Sequence, residues 1–319
     1  MKTLQQLKDL YQRELYPLLL ELEEVRKAQV NKIYLICTPI IILSIILSVF
    51  VFRATNGDDG FFIVLVLGAM ACGGVYWMLT RNYVAQFKGD IIEKIVKFLD
   101  PDLRYDRSGY ISLTEFRNSE IFKQRADKYT GDDYVKGTIG KTDIEVSELH
   151  AQYVTRDSKG RTRYHTFFKG LFFIGDFHKD FKGKTFVLPD SAEKSFGGFG
   201  KWLQSKNMSR PPLVSLEDPE FEKFFVTYGT DQIEARYILS SSMMKRMCDF
   251  KNRTDRNVYF SFVNSKVYVA VYYRRNLFEP RVFNTLLDFG PIQQYYDDLS
   301  LAIGIVEDLN LNTRIWTKK

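Results

Sequence analysis

The stretch Ile33–Thr80 reads IYLICTPIIILSIILSVFVF (33–52), RATNGDDG (53–60) and FFIVLVLGAMACGGVYWMLT (61–80), two charge-free apolar runs joined by a short polar link. Each run has the roughly 20 residues a helix needs to cross a ~30 Å hydrocarbon core. Both are apolar on every side, whereas a core helix of a soluble domain is usually shorter and keeps a polar face. A cleaved leader does not fit, because a helical segment precedes the first run and a second run follows at once. The predicted element is a transmembrane helical hairpin over 33–80, with spans 33–52 and 61–80.

The flanks set its orientation. Arg26, Lys27 and Lys32 precede the first run and Arg81, Lys88 and Lys94 follow the second, while the link holds only Arg53 beside Asp58 and Asp59. Basic residues stay on the cytoplasmic side, so both termini are expected there. Asn56, Gly57 and Gly60 give the link turn chemistry. In the second run Gly68, Ala69, Ala71, Cys72, Gly73 and Gly74 form a small-residue patch where another helix can approach closely, most simply the first run.

Outside the hairpin the chain divides into an N-terminal cytoplasmic helix (1–32), a juxtamembrane helical segment (81–130) and a cytoplasmic α+β domain (131–319). Leu4, Leu7, Tyr11, Leu15, Leu18, Leu22 and Val25 recur at spacings of three and four, and Val84, Phe87, Ile91, Ile95 and Phe98 match them. Two helices that prolong the hairpin as an antiparallel pair follow from this, with Pro17 dividing the first. Pro101 ends the second, and Ser112 with Glu115 makes a capping box for the next helix. The same stretch has the look of a calcium loop, but Arg104 stands where its first aspartate belongs and would repel the ion.

From about Asp133 the pattern changes to strands: DYVKGTI, TDIEVSELHAQYVT, RTRYHTFFKGLFFIGDF and KTFVL, with turn signals between them, read as an antiparallel meander. A Gly- and Pro-rich excursion with a short helix near Trp202 follows. Then come a strand in FEKFFVTYG, a helix from about Ser240 to Lys251, a hairpin turning at Asn264-Ser265, and a final amphipathic helix carrying Ile292, Tyr296, Leu299, Ile303 and Val306. Strands and helices segregate without βαβ alternation. The class is α+β with an antiparallel sheet and not a dinucleotide-binding fold.

Composition narrows the function. With 45% hydrophobic residues, 26 Phe and 19 Tyr, the soluble part is packed rather than disordered. A net charge of +6, without a long basic run, fits headgroup contact at an anionic leaflet better than nucleic-acid binding. Three cysteines, two of them inside the spans, supply no disulfide framework and no CxxC metal site. No cofactor motif is complete: SFGGFGKW lacks P-loop spacing, and Trp202 stands where Ser or Thr should follow Lys201. His150, His165 and His178 form no local metal pattern.

Three groups of residues are candidates for something more. Arg156, Lys159, Arg161 and Arg163 crowd a hairpin tip relieved only by Asp157, an expected contact for anionic lipid headgroups. Asp231, Glu234 and Arg236, among apolar neighbours, are expected to form a structural polar cluster in which a buried Arg236 is hydrogen-bonded to an acid or to backbone carbonyls and is not a ligand contact. Asp176 and His178, two apart on a strand, share a face and with Asp231, Glu234 and Arg236 form the only group an enzyme could use.

In combination, Tyr110-Ile111-Ser112, Glu115-Phe116, FFKGLFFIGDFHKDFKGKTFVLPD, FEKFFVTYGTDQIEARYILS, LFEP and DLNLNTRIW resemble the bacterial domain-of-unknown-function family numbered 3137. The resemblance implies a bacterial inner-membrane protein with two spans and carries over no catalytic residue. The expectation is a membrane-anchored cytoplasmic binding or assembly protein, without cofactor or nucleic acid, whose partners are the bilayer and a protein or second copy. The competing reading is an enzyme at the inner face of the membrane.

Overall fold

The computed structural model describes residues 2–55, 59–177, 181–190 and 210–312. The link turn at Asn56-Gly57, the histidine at 178 and the Gly-rich stretch with Trp202 lie outside them. The chain forms two compact units, one of residues 2–95 with 278–295, the other built on 96–277 with the chain from Tyr296 onward.

The first unit is helical. Helix α1 (Leu4–Leu10) passes through a five-residue π turn, Tyr11–Leu15, into α2 (Tyr16–Ala54), and α3 (Gly60–Phe87) passes through a second π turn, Lys88–Ile92, into α4 (Glu93–Leu99). Pro17 was expected to split the first helix. The helix instead continues, because Pro17 falls in the first turn of α2, and just before it the Tyr16 N–H reaches back five residues to the Tyr11 carbonyl. The wide turn adds one residue to the helical phase. The buried face therefore runs through Leu7, Tyr11, Leu15, Leu19 and Leu22, and Leu18 of the expected seam is only half-buried.

Helices α2 and α3 are long and apolar enough to cross a membrane, and their most apolar 18-residue windows are only 11% and 6% buried. Core helices of a soluble domain would be mostly buried, whereas the described residues leave most of these two apolar stretches uncovered. The two helices meet at small residues: a Cβ on Gly68 would lie 2.8 Å from Ser44 Cβ, and the Cys37 and Cys72 thiols each lie 3.9 Å from the other's carbonyl. Among the described residues, nothing lies within 4 Å of a Cβ placed on Gly73 or Gly74.

The segment 278–295 belongs to this unit through buried polar contacts. Arg26 donates to both Glu23 carboxylate oxygens at 2.8 and 2.7 Å and to the Val282 carbonyl at 2.9 Å, while the Leu286 N–H donates to Glu23 Oε2 at 3.0 Å. Lys88, also buried, pairs with Glu279 at 2.9 Å, and the Tyr11 hydroxyl donates to the Leu287 carbonyl at 2.8 Å. Each buried charge thus has the partner its desolvation demands.

The second unit is built on an eight-stranded antiparallel sheet in the order β1-β2-β3-β4-β8-β7-β5-β6. Its strands are β1 (Arg104–Asp106), β2 (Lys128–Ile139), β3 (Thr142–Arg156), β4 (Thr162–Asp176), β5 (Thr185–Pro189), β6 (Phe225–Gly229), β7 (Val258–Val263) and β8 (Lys266–Tyr272). The meander holds from β2 to β4. It does not continue to β5, because the β7–β8 hairpin sits between, with β8 on β4 and β7 on β5. That hairpin turns at Asn264 and Ser265, at φ 52° and 62°, the paired positive values that suit strand twist in a two-residue turn.

Every residue of β5 and β7 is buried, so both sheet faces are covered there, which explains why apolar residues do not alternate with exposed polar ones along them. On one face Phe116 packs on Phe172 and Phe122 on Phe168, at ring-centroid distances of 5.1 and 5.0 Å, over Leu149, Phe186 and Tyr268. Ser112 caps the helix Leu113–Asn118 as expected, but the Glu115 carboxylate serves the Lys266 ammonium at 3.0 Å and not the cap.

Candidate functional site

Strands β3 and β4 are the longest in the sheet, 15 residues each, and they outrun their neighbours. Strand β2 accompanies β3 only as far as Gln152 and β8 accompanies β4 only as far as Gly170, whereas the β3–β4 ladder continues to Arg156 opposite Thr162. A bulge between Ala151 and Gln152 marks the departure, adding twist where the ribbon leaves the sheet. The result is a two-stranded arm. At its base His150 Nε2 meets the Thr166 hydroxyl at 2.8 Å, and burial pushes this imidazole below its ordinary value. The His165 ring stacks on Tyr153 at 4.9 Å.

The tip is closed by Asp157. Its Oδ1 accepts the Lys159 and Arg161 N–H groups at 2.9 and 2.8 Å, and Gly160 turns the chain at φ 75°. The acid that would neutralise the tip is thereby engaged by backbone. Arg156, Lys159, Arg161 and Arg163 are all exposed, and among the described residues none makes an ion pair. Arg163 stands opposite Thr155 on one face of the ribbon, and Arg156 opposite Thr162 on the other, the face of Tyr164. Tyr164 is 58% exposed, with the Lys128 ammonium 5.6 Å from its ring centre. The charge wraps the tip instead of lining one side.

At the other end of the same strands, roughly 35 Å away at ~3.4 Å per residue, lies an open groove of ≈ 420 Å³ walled by Lys136, Asp143, Glu145, Asp176 and Lys266 among others. Several of its polar groups are already paired. Lys136 pairs with Glu145 at 3.6 Å, Tyr134 donates to Glu145 at 2.7 Å, and Thr138 donates to Asp143 at 2.6 Å. Among the described residues of the proposed enzyme group, Asp176 alone is in its walls; Asp231, Glu234 and Arg236 are not among them.

Those three residues behave differently from expectation. Asp231 is the N-cap of the helix Gln232–Ile238, accepting the Ile233 and Glu234 N–H groups at 2.9 and 3.0 Å. Glu234 accepts the Lys182 and Gly183 N–H groups at 3.1 and 2.7 Å. Both acids therefore hold backbone. Arg236 corrects the reading: it is exposed and, among the described residues, pairs with neither acid. On a seven-residue helix whose buried positions are Ala235 and Ile238, residue 236 falls on the solvent side. Among the described residues, the buried arginine that pairs with an acid is Arg26.

One cluster escaped the sequence reading altogether. Asp132, Asp133 and Glu148 bring carboxylate oxygens within 4.8 Å of one another, the latter two buried. Register makes the cluster, since Asp132 lies opposite Glu148 and the adjoining bulge turns Asp133 at φ 55°. The Tyr105 hydroxyl donates to Asp133 and the Leu277 N–H to Glu148, so two of the three carboxylates already accept from protein donors. The Asp106 carboxyl, in the stretch with a calcium-loop look, is held below its usual range by the Ser108 N–H and hydroxyl.

Comparison with known proteins adds the following. A search of curated proteins found no match. A crystal structure of the mycobacterial trehalose monomycolate transport factor A, TtfA, aligns at 12% identity and a TM-score of 0.33 over 67% of this chain and 94% of that one. A TM-score that low establishes neither a shared fold nor a shared role. Residues 166–311 match the family model described as protein of unknown function (DUF3137). The matched stretch runs from the arm's second strand through β8 to the end of the last helix, and it contains the Lys-Gly-Leu-Phe, Asp231-to-Arg236 and Phe278-Glu279-Pro280 motifs. The family whose model matches residues 166–311 is thus the one that the sequence resembles.

Proposed function

We propose that this protein is a membrane-anchored cytoplasmic binding or assembly protein of the bacterial inner membrane, with both termini cytoplasmic, whose β3–β4 arm engages anionic lipid headgroups. The observation that carries the reading is the arm itself: four exposed cations at the end of a ribbon, with the one nearby acid engaged by backbone. The excess of Lys and Arg outside the hairpin link supports the orientation. An anionic leaflet attracts each cation near its surface by about 1 kcal/mol, and four together exceed the thermal energy several-fold.

The test uses the full chain in nanodiscs and reads tryptic cleavage after Lys159 and Arg161, relative to cleavage elsewhere in the same chain. On discs containing phosphatidylglycerol, cleavage at the tip is expected to slow by on the order of tenfold against pure phosphatidylcholine. Raising the salt should restore it, because screening shortens the reach of surface charge. Equal rates on both discs would overturn the headgroup reading.

A further inference from the structure

Residues 281–285 present a side chain whose exposure has no explanation in a water-facing loop. Phe283 is 55% exposed, yet it lies between two buried residues, Val282 and Leu286. Both are pinned through the backbone: the Val282 carbonyl accepts from Arg26, and the Leu286 N–H donates to Glu23. The ring is thus held outward by a loop fixed on either side.

Its neighbours identify the environment. Phe283 stacks on Tyr76 at 5.9 Å and 22°, and its ring centre is 6.4 Å from that of Tyr34. Tyr34 stands at the start of the first apolar run and Tyr76 near the end of the second, so the three rings mark one level at the same edge of both runs. Trp77, 64% exposed, stands beside Tyr76, with the Arg81 guanidinium 5.4 Å from its ring centre. Exposed aromatic rings at the ends of apolar runs, followed by a cation, are the composition of a membrane–water interface. Arg281, Asn284 and Thr285, exposed around Phe283, supply the polar side such a segment needs.

We infer that the loop 281–285 is a third membrane-contacting element, with Phe283 inserted at the boundary of headgroups and acyl chains beside Tyr34, Tyr76 and Trp77. The inference rests on the reading of the two helices as spans. It adds that a segment more than 200 residues after them in the chain is also seated in the bilayer surface.

The full chain carrying Phe283→Cys, labelled with an environment-sensitive fluorophore, is placed in nanodiscs of three parts phosphatidylcholine to one part phosphatidylglycerol. Cys37 and Cys248 are buried, and burial lifts the Cys248 thiol to about 11, so brief labelling favours the new site; unsubstituted protein labelled in parallel supplies the subtraction. Leu43→Cys, in the middle of the first apolar run, is the reference for a spanning position. Quenching of the 283 label by a spin label near the headgroup, exceeding that by aqueous iodide on the order of twofold, is expected for a side chain at the interface. Iodide quenching without lipid quenching at 283, while Leu43→Cys is quenched by a deep acyl label, overturns this inference and leaves the spans standing. Lipid quenching at neither position overturns both.

Discussion

Replacing Arg26 with Met is expected to destabilise the full chain in mild detergent by about 3–5 kcal/mol, the cost of leaving a buried partner charge uncompensated. Glu23 keeps only the Leu286 N–H once the two arginine bonds are gone, and the Val282 carbonyl loses its donor. Arg236→Met, on an exposed side chain, should move the thermal midpoint by no more than about 0.5 kcal/mol in free-energy terms. The double variant Glu23→Gln with Arg26→Met should recover part of the loss, since the pair acts as a unit.

The same pair gives a pH signature. The Arg26 hydrogen bonds, aided by the Leu286 N–H, hold the Glu23 carboxyl below its ordinary value. A carboxyl lowered on folding contributes stability that is fully present above its unfolded value of about 4.3 and is lost as the pH falls through the lowered folded value. Acid should therefore erode the stability difference between the wild type and the double variant, and neutral pH should leave it intact. A difference that stayed constant down to pH 3 would mean that the pair is not ionised as described.

The second large effect is expected at Gly170, inside the Lys-Gly-Leu-Phe motif. Its φ is 153°, and a Cβ there would collide with the Val271 carbonyl oxygen and lie 2.8 Å from the Tyr273 nitrogen. The neighbouring bond from the Tyr273 N–H to the Lys169 carbonyl, at 2.7 Å, fixes β8 against β4 at this point. Gly170→Ala must move backbone in the middle of the sheet, so steric displacement and backbone strain together should cost about 2–5 kcal/mol. Gly160→Ala is the control: φ is 75° but nothing lies within 4 Å, so only the left-handed penalty of about 1–2 kcal/mol applies. Thermal unfolding of both variants decides the point; equal losses would mean that the close approach at Gly170 is not the cause.

What the sequence made legible was local. The apolar runs, the Ser112 cap, the helix starting near Ser240, the Asn264-Ser265 turn and the basic hairpin tip each depend on residues within a few positions of one another, and each lies where the spacing placed it. Contacts closed by distant segments were not legible. The insertion of β7 and β8 between β4 and β5 depends on pairing across roughly 90 residues, and the Asp132, Asp133 and Glu148 cluster depends on register. Arg26 was read as a flanking charge because its acceptor at Val282 lies 256 residues away. Arg236 was read as buried because its apolar neighbours were taken to surround it, when only one side of that short helix faces the core.

Everything proposed here depends on the helices of residues 33–80 crossing a bilayer as a hairpin, and reporter fusions to the full chain test that most directly. A fusion after Asp58 is expected to report the periplasmic side and a fusion at Lys319 the cytoplasmic side, because the Lys and Arg excess lies outside the link. Both fusions reporting the cytoplasm would mean that the helices do not cross, and a reversed pair would place the basic arm on the wrong side of the membrane.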